Sequence, residues 1–97
     1  MTDKKGLVYL LSSCNDDEIY IGSSVNFGNR KRNHYYNCRT PTRKHYYYPL
    51  YEKMREVGID TYAFTVLEDN IPQDQLLERE KYFIDEYNPQ LNKKKIN

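Results

Sequence analysis

At 97 residues the chain can close one modest core, with little left for a second module. Hydrophobic residues are 38% and charged residues 30%; no apolar run approaches the roughly 20 residues of a membrane span, and the N-terminus lacks the apolar centre of a signal peptide. Net charge is only +1, which alone names no polyanionic partner, and Cys14 and Cys38 fit no CxxC or Cys/His pattern, which argues against structural zinc and for two reduced thiols in an intracellular protein of the cytoplasm, nucleoid or nucleus.

In chain order, GLVYLLS from Gly6 to Ser12 is apolar and β-prone and reads as a strand. Asn15, Asp16 and Asp17 make a polar turn, and Glu18 to Gly22 resumes as the second strand of a hairpin. Ser24 or Asn26 can cap a helix running through Arg30 toward Tyr36, with Gly28 a weak point inside it. Asn37 to Arg43, which includes Pro41, is basic and loop-like. From His45 to Val57, Tyr47, Leu50, Tyr51, Met54 and Val57 recur at helical spacing, and Gly58 ends the run. Thr61 to Leu67 reads as a third strand. Pro72 fits the first turn of a last helix that stops near Tyr87, before Pro89. The order β-β-α-α-β-α predicts an α+β fold: one domain with a small three-stranded, mainly antiparallel sheet flanked by helices, a core over 6–92 and a basic tail over 93–97.

Charge is unevenly spread. Between Ser23 and Val57, Arg30, Lys31, Arg32, Arg39, Arg43, Lys44, Lys53 and Arg55 face only Glu52 and Glu56, while Gly58 to Asn92 carries eight acidic residues against Arg79 and Lys81. A polyanion is drawn to the first block, and carboxylates of the second can hold a divalent cation. Tyrosine is also overused, with 11 tyrosines, three phenylalanines and no tryptophan. Six of these tyrosines (Tyr35, Tyr36, Tyr46, Tyr47, Tyr48, Tyr51) interleave with the basic block, a combination that suits nucleic acid by stacking and phosphate contact and equally suits a wet core rim. Lys31, Arg32, Arg39, Arg43 and Lys44 are the expected nucleic-acid contacts.

One carboxylate stands out in the last helix. Leu76, Leu77, Phe83, Ile84 and Tyr87 form one apolar face, and Glu80 falls in its middle, whereas Glu78 and Asp85 lie off it. A carboxylate there needs an arginine, a hydrogen-bond network, a metal ion or a route to solvent. Glu80 is the metal-ligand candidate that spacing alone singles out.

Leu7-Val8-Tyr9, ten residues, then Tyr20-Ile21-Gly22 resembles the two-part signature of the GIY-YIG nuclease family. Gly22-Ser23-Ser24 followed by Arg30 and His34 looks like that family's arginine helix. His45 precedes the second helix as in phage-type intron-encoded homing endonucleases, Glu78-Arg79-Glu80 lies in the last helix, and Asn92 sits at the close. The first triplet departs from the family name, with Leu-Val before the tyrosine. The resemblance covers residues 6–92.

What it implies is DNA endonuclease activity, with water attacking a phosphodiester beside one Mg²⁺ or Mn²⁺ ion. Glu80 would hold the metal, because hard cations prefer carboxylate oxygen. Arg30 would fork onto a phosphate oxygen. Tyr20 would support the phosphate. Tyr9 can be the base only if Arg30 and the metal lower a phenol that ordinarily titrates near 10; otherwise it orients the water, and His34 or His45 moves the proton. Asn92 would complete the nucleic-acid contacts. A mobile-element endonuclease would normally carry a DNA-targeting region that this chain lacks, so a further region, a targeting partner, or cutting by DNA structure more than by sequence is expected. The rival class is a non-catalytic nucleic-acid-binding module on the same fold, which has no need of a carboxylate within an apolar face.

Overall fold

A computed structural model of the protein describes residues 4–93. Strands β1 (Lys5–Ser13), β2 (Asp16–Ser24) and β3 (Tyr62–Pro72) form one antiparallel sheet in the order β2-β1-β3. Being central, β1 is covered on both faces, so GLVYLLS is apolar nearly throughout instead of alternating. Val8 belongs to a core with Ile21, Ile71 and Leu76; Leu11, on the opposite face, belongs to one with Cys38, Leu50, Tyr51, Met54, Tyr62 and Leu91. The hairpin turns at Cys14–Asn15, and Asp16 and Asp17 already lie in β2, so the turn is tighter than the run of polar residues predicts.

Helix α1 (Phe27–Arg39) begins where the cap signal lies: Asn26 Oδ1 accepts from the Asn29 N–H, and Ser24 Oγ accepts from the Asn26 N–H. It extends beyond Tyr36 into the stretch expected to be loop, because His34, Asn37 and Cys38 form its buried face. That face is largely polar, so apolar periodicity misses its end. The helix expected over His45–Val57 is divided into a 3-10 turn over Lys44–Tyr47 and α2 over Pro49–Val57. Pro49 causes the break, since the residue before a proline is driven out of helical backbone. Tyr48 accordingly sits at φ −64°, ψ 144°. Tyr47 is therefore largely exposed and lies outside the α2 stripe. Gly58, at φ 124°, ends α2, its N–H donating to the Met54 carbonyl.

Pro72 does not open the last helix. It is the final residue of β3, opposite Lys5, at a strand end where a missing N–H is tolerated. A 3-10 turn over Gln73–Gln75 intervenes before α3 (Leu76–Tyr87), which ends at the left-handed Asn88 just ahead of Pro89. A short α4 (Gln90–Lys93) follows and buries Leu91. Of the basic tail, residues 94–97 lie outside the described residues. Helices α1 and α2 pack on the Leu11 face and α3 on the Val8 face. Both cysteines are free thiols, Cys14 exposed and Cys38 buried. Among the described residues no helix is long and apolar enough to cross a membrane.

Candidate active site

The hairpin register places Tyr9 opposite Gly22. A Cβ on Gly22 would lie 2.5 Å from the Tyr9 hydroxyl and 2.7 Å from Cζ, so the Tyr9 ring lies across the glycine and only a missing side chain lets it do so. Tyr20, two residues before Gly22, projects to the same face, its ring 6.5 Å from that of Tyr9. Here the third residue of the Tyr20-Ile21-Gly22 triplet acquires a physical reason: it makes room for the first tyrosine.

Tyr9 is 1% exposed and His34 3%. The Tyr9 hydroxyl and His34 Nε2 are 2.7 Å apart, and His34 Nδ1 and the Tyr51 hydroxyl 2.8 Å apart. Burial, helped by the Arg30 guanidinium, lowers the His34 pKa to about 4, so the imidazole is neutral at pH 7. A neutral ring has one N–H and one lone pair, so one tyrosine donates to it and the other accepts. Burial likewise raises Tyr9 far above the usual phenol range and Tyr20 to about 12. Arg30 lowers both, yet does not offset the desolvation. The condition under which Tyr9 is a ready base is thus not met by the protein's own groups; both tyrosines are neutral phenols near pH 7.

Arg30 lies one turn before His34 on α1 and is exposed, with no ion pair among the described residues. It borders a cleft of about 640 Å³ that Tyr20, His34, His45, Tyr48 and Asn92 also line. His45, from the 3-10 turn, therefore joins the same cleft although it is remote in sequence.

Glu80 comes from the other face of the sheet, where α3 crosses β2. Leu76 is buried and Phe83 and Ile84 partly so, but Leu77 is 69% exposed and Tyr87 half-exposed, so the inward stripe is narrower than expected. Glu80 is half-buried, and Ser23 Oγ donates to its Oε1. Of the compensations open to it, the structure supplies a hydroxyl and partial solvent access, and no arginine among the described residues. Its negative charge is felt by both Tyr9 and Tyr20. No group of three His, Cys, Asp or Glu side chains suited to a metal occurs among the described residues.

The expected nucleic-acid contacts divide. Lys31 lies over the Phe27 ring, and Lys31 and Arg32 border a separate groove with Tyr35 and Phe64, on a side of α1 away from the cleft. Arg39 lies over Tyr35 and 3.8 Å from Asp60. Arg43 donates to Asn37 Oδ1 and lies over Tyr36, and Lys44 is exposed at the start of the 3-10 turn. Asn92 lines the cleft but spends its amide on the fold: Oδ1 accepts from the Ile21 N–H at 2.7 Å and Nδ2 donates to the Ile21 carbonyl at 2.8 Å. It ties α4 to the free edge of β2. Apolar spacing finds Tyr51 only as a core residue, and nothing in the sequence identifies it as the second partner of His34.

The profile of the GIY-YIG catalytic domain matches residues 5–97. The chain belongs to the GIY-YIG family. Two solved structures share this GIY-YIG fold. One, the catalytic domain of homing endonuclease I-TevI, is 22% identical with a TM-score of 0.72, covering 90% of this chain and 92% of that one. A mutant of the catalytic domain of intron endonuclease I-TevI is 23% identical with a TM-score of 0.75, covering 96% and 94%. At these identities the likeness is one of fold. No curated protein matches this GIY-YIG chain.

Proposed function

We propose that this GIY-YIG domain is a divalent-metal-dependent DNA endonuclease that hydrolyses a phosphodiester by attack of water. The observation that carries the reading is the set of groups that act on one another through charge around the β1–β2 hairpin: a half-buried carboxylate held by Ser23, a pair of neutral phenols, and an arginine with no ion pair among the described residues.

A lone carboxylate is a poor cage but suits Mg²⁺ or Mn²⁺, which keep several waters and take phosphate oxygens as ligands. Glu80 would hold the ion through Oε2, which has no protein partner among the described residues. When bound, the ion polarises the phosphate and stabilises the leaving 3′ oxygen. Arg30 forks onto a non-bridging oxygen and offsets charge that builds there. Tyr20 offers its hydroxyl to the same phosphate. Tyr9, protonated at rest, orients the water, and its hydroxyl is tied to His34 Nε2, while His34 Nδ1 is tied to the Tyr51 hydroxyl. His45, on the cleft, is the other acceptor within the set.

The test is cleavage of supercoiled, branched and flapped DNA with Mg²⁺, Mn²⁺ or EDTA, using Glu80→Gln and Arg30→Ala as controls. Equal cutting by wild type and Glu80→Gln removes the metal assignment. DNA binding without metal and without cleavage of any substrate makes the domain a binding module. The pH profiles of Tyr9→Phe and His45→Ala identify the base, since loss of the true base abolishes the deprotonation limb.

A further inference from the structure

The cleft beside Arg30 is larger than one phosphate needs. Arg30 and Asn37, both lining it, are seven residues apart on α1, or about 10 Å at the helical rise. Its volume of about 640 Å³ lies within the roughly 300–1,000 Å³ of small-molecule sites. The lining contains Arg30 and no aspartate or glutamate, so an anionic occupant meets a cation and no opposing carboxylate. The wall is aromatic. Tyr48 is 40% exposed, and its ring is nearly parallel to that of Tyr51, at 6.3 Å and 9°, and edge-on to His45 at 4.6 Å. Its backbone is fixed by Pro49 on one side and by its N–H bond to the His45 carbonyl on the other. The backbone that carries the ring is thus held on both sides.

We propose that this cleft receives one unpaired nucleotide of the DNA, its base stacked on Tyr48 and its phosphate directed to Arg30. A base within an intact duplex offers no free face, so the favoured substrate carries an unpaired or extruded nucleotide beside the scissile bond, as at a bulge, flap or branch. This rests on the nuclease reading for the class of ligand, but its test does not require cleavage.

The assay uses Glu80→Gln protein, to prevent cutting, with a matched DNA hairpin and the same hairpin carrying a single unpaired 2-aminopurine. Affinity is read by anisotropy and stacking by loss of 2-aminopurine emission. The bulged DNA binds about tenfold tighter, a ratio of the order that base–aromatic stacking gives, and its emission is quenched. Adding Tyr48→Ala brings the two affinities within about twofold and restores emission, whereas Tyr48→Phe keeps both effects. Should Tyr48→Ala fail to fold, Tyr48→Leu keeps apolar bulk without a ring and gives the same loss. Equal affinity for the two DNAs, or a preference and quench that survive removal of the ring, overturns the proposal. A wild type that cuts no DNA yet shows Tyr48-dependent quenching keeps this subsite and loses the endonuclease reading. One that cuts matched and bulged DNA equally, without quenching, loses the subsite alone.

Discussion

Replacing Gly22 by alanine perturbs the site without touching a polar group. The added Cβ would lie 2.5 Å from the Tyr9 hydroxyl and 2.7 Å from Cζ, and Tyr9 is too buried to swing aside freely. Overpacking of this kind costs about 1–3 kcal/mol. Displacing the hydroxyl from His34 Nε2 adds about 1 kcal/mol for a lost buried hydrogen bond. The sum is about 3 kcal/mol, and a domain of this size loses about 4–8 °C of melting temperature per kcal/mol. Urea unfolding should show this loss, and Mg²⁺-dependent DNA cleavage should fall further than stability does, because Tyr9 leaves its place. Gly28→Ala is the control: its Cβ meets nothing nearer than Arg32 Nη1 at 4.0 Å, and alanine gains up to about 1 kcal/mol in a helix. The two changes therefore have opposite signs. Combining Gly22→Ala with Tyr9→Phe removes the closest contact, so the pair should be less than additive by about 0.5 kcal/mol or more. If Gly22→Ala is within about 0.5 kcal/mol of wild type and cuts DNA normally, the packing argument for the triplet glycine is refuted.

Acid should weaken the fold through His34. Its folded pKa of about 4 lies below the unfolded value near 6.5, so between these values the unfolded chain binds more protons and stability falls as pH falls. The loss is at most about 3 kcal/mol by pH 4; urea titrations of wild type and His34→Gln should show a flatter acid limb in the variant. At the alkaline end Tyr20, raised to about 12, stays protonated while the unfolded phenol ionises near 10, so stability declines from about pH 10 upward, and absorbance titration should show Tyr20 ionising late. Asn92→Ala removes two hydrogen bonds to Ile21 and should cost about 1–3 kcal/mol in chemical denaturation; an unchanged midpoint would mean that α4 is not tied to β2 through this amide.

Much of this was legible in the sequence because local signals and packing agree. The two hairpin strands, the Asn26 cap, the Gly58 stop and the three-stranded sheet follow from patterns a few residues long. Failures occur where one residue outweighs the pattern or packing does. Pro49 alone divides the helix that Tyr47, Leu50 and Tyr51 suggest, and the polar buried face of His34, Asn37 and Cys38 prolongs α1 past its apolar signal. Leu77 continues the stripe in spacing but not in space. In the site, Glu80 was visible as a charge among apolar neighbours, whereas its partner Ser23 lies 57 residues away and only the crossing of α3 on β2 joins them. The line from Tyr9 through His34 to Tyr51 has the same origin, spanning three elements that no local pattern relates.

On the proposed function, Glu80 serves DNA cleavage and not the fold. Single-turnover nicking of supercoiled DNA in saturating Mg²⁺ should be at least about a hundredfold slower for Glu80→Gln, at matched DNA occupancy and with stability within about 1 kcal/mol, because a glutamine oxygen still accepts from Ser23. Equal nicking rates for the two proteins would contradict it.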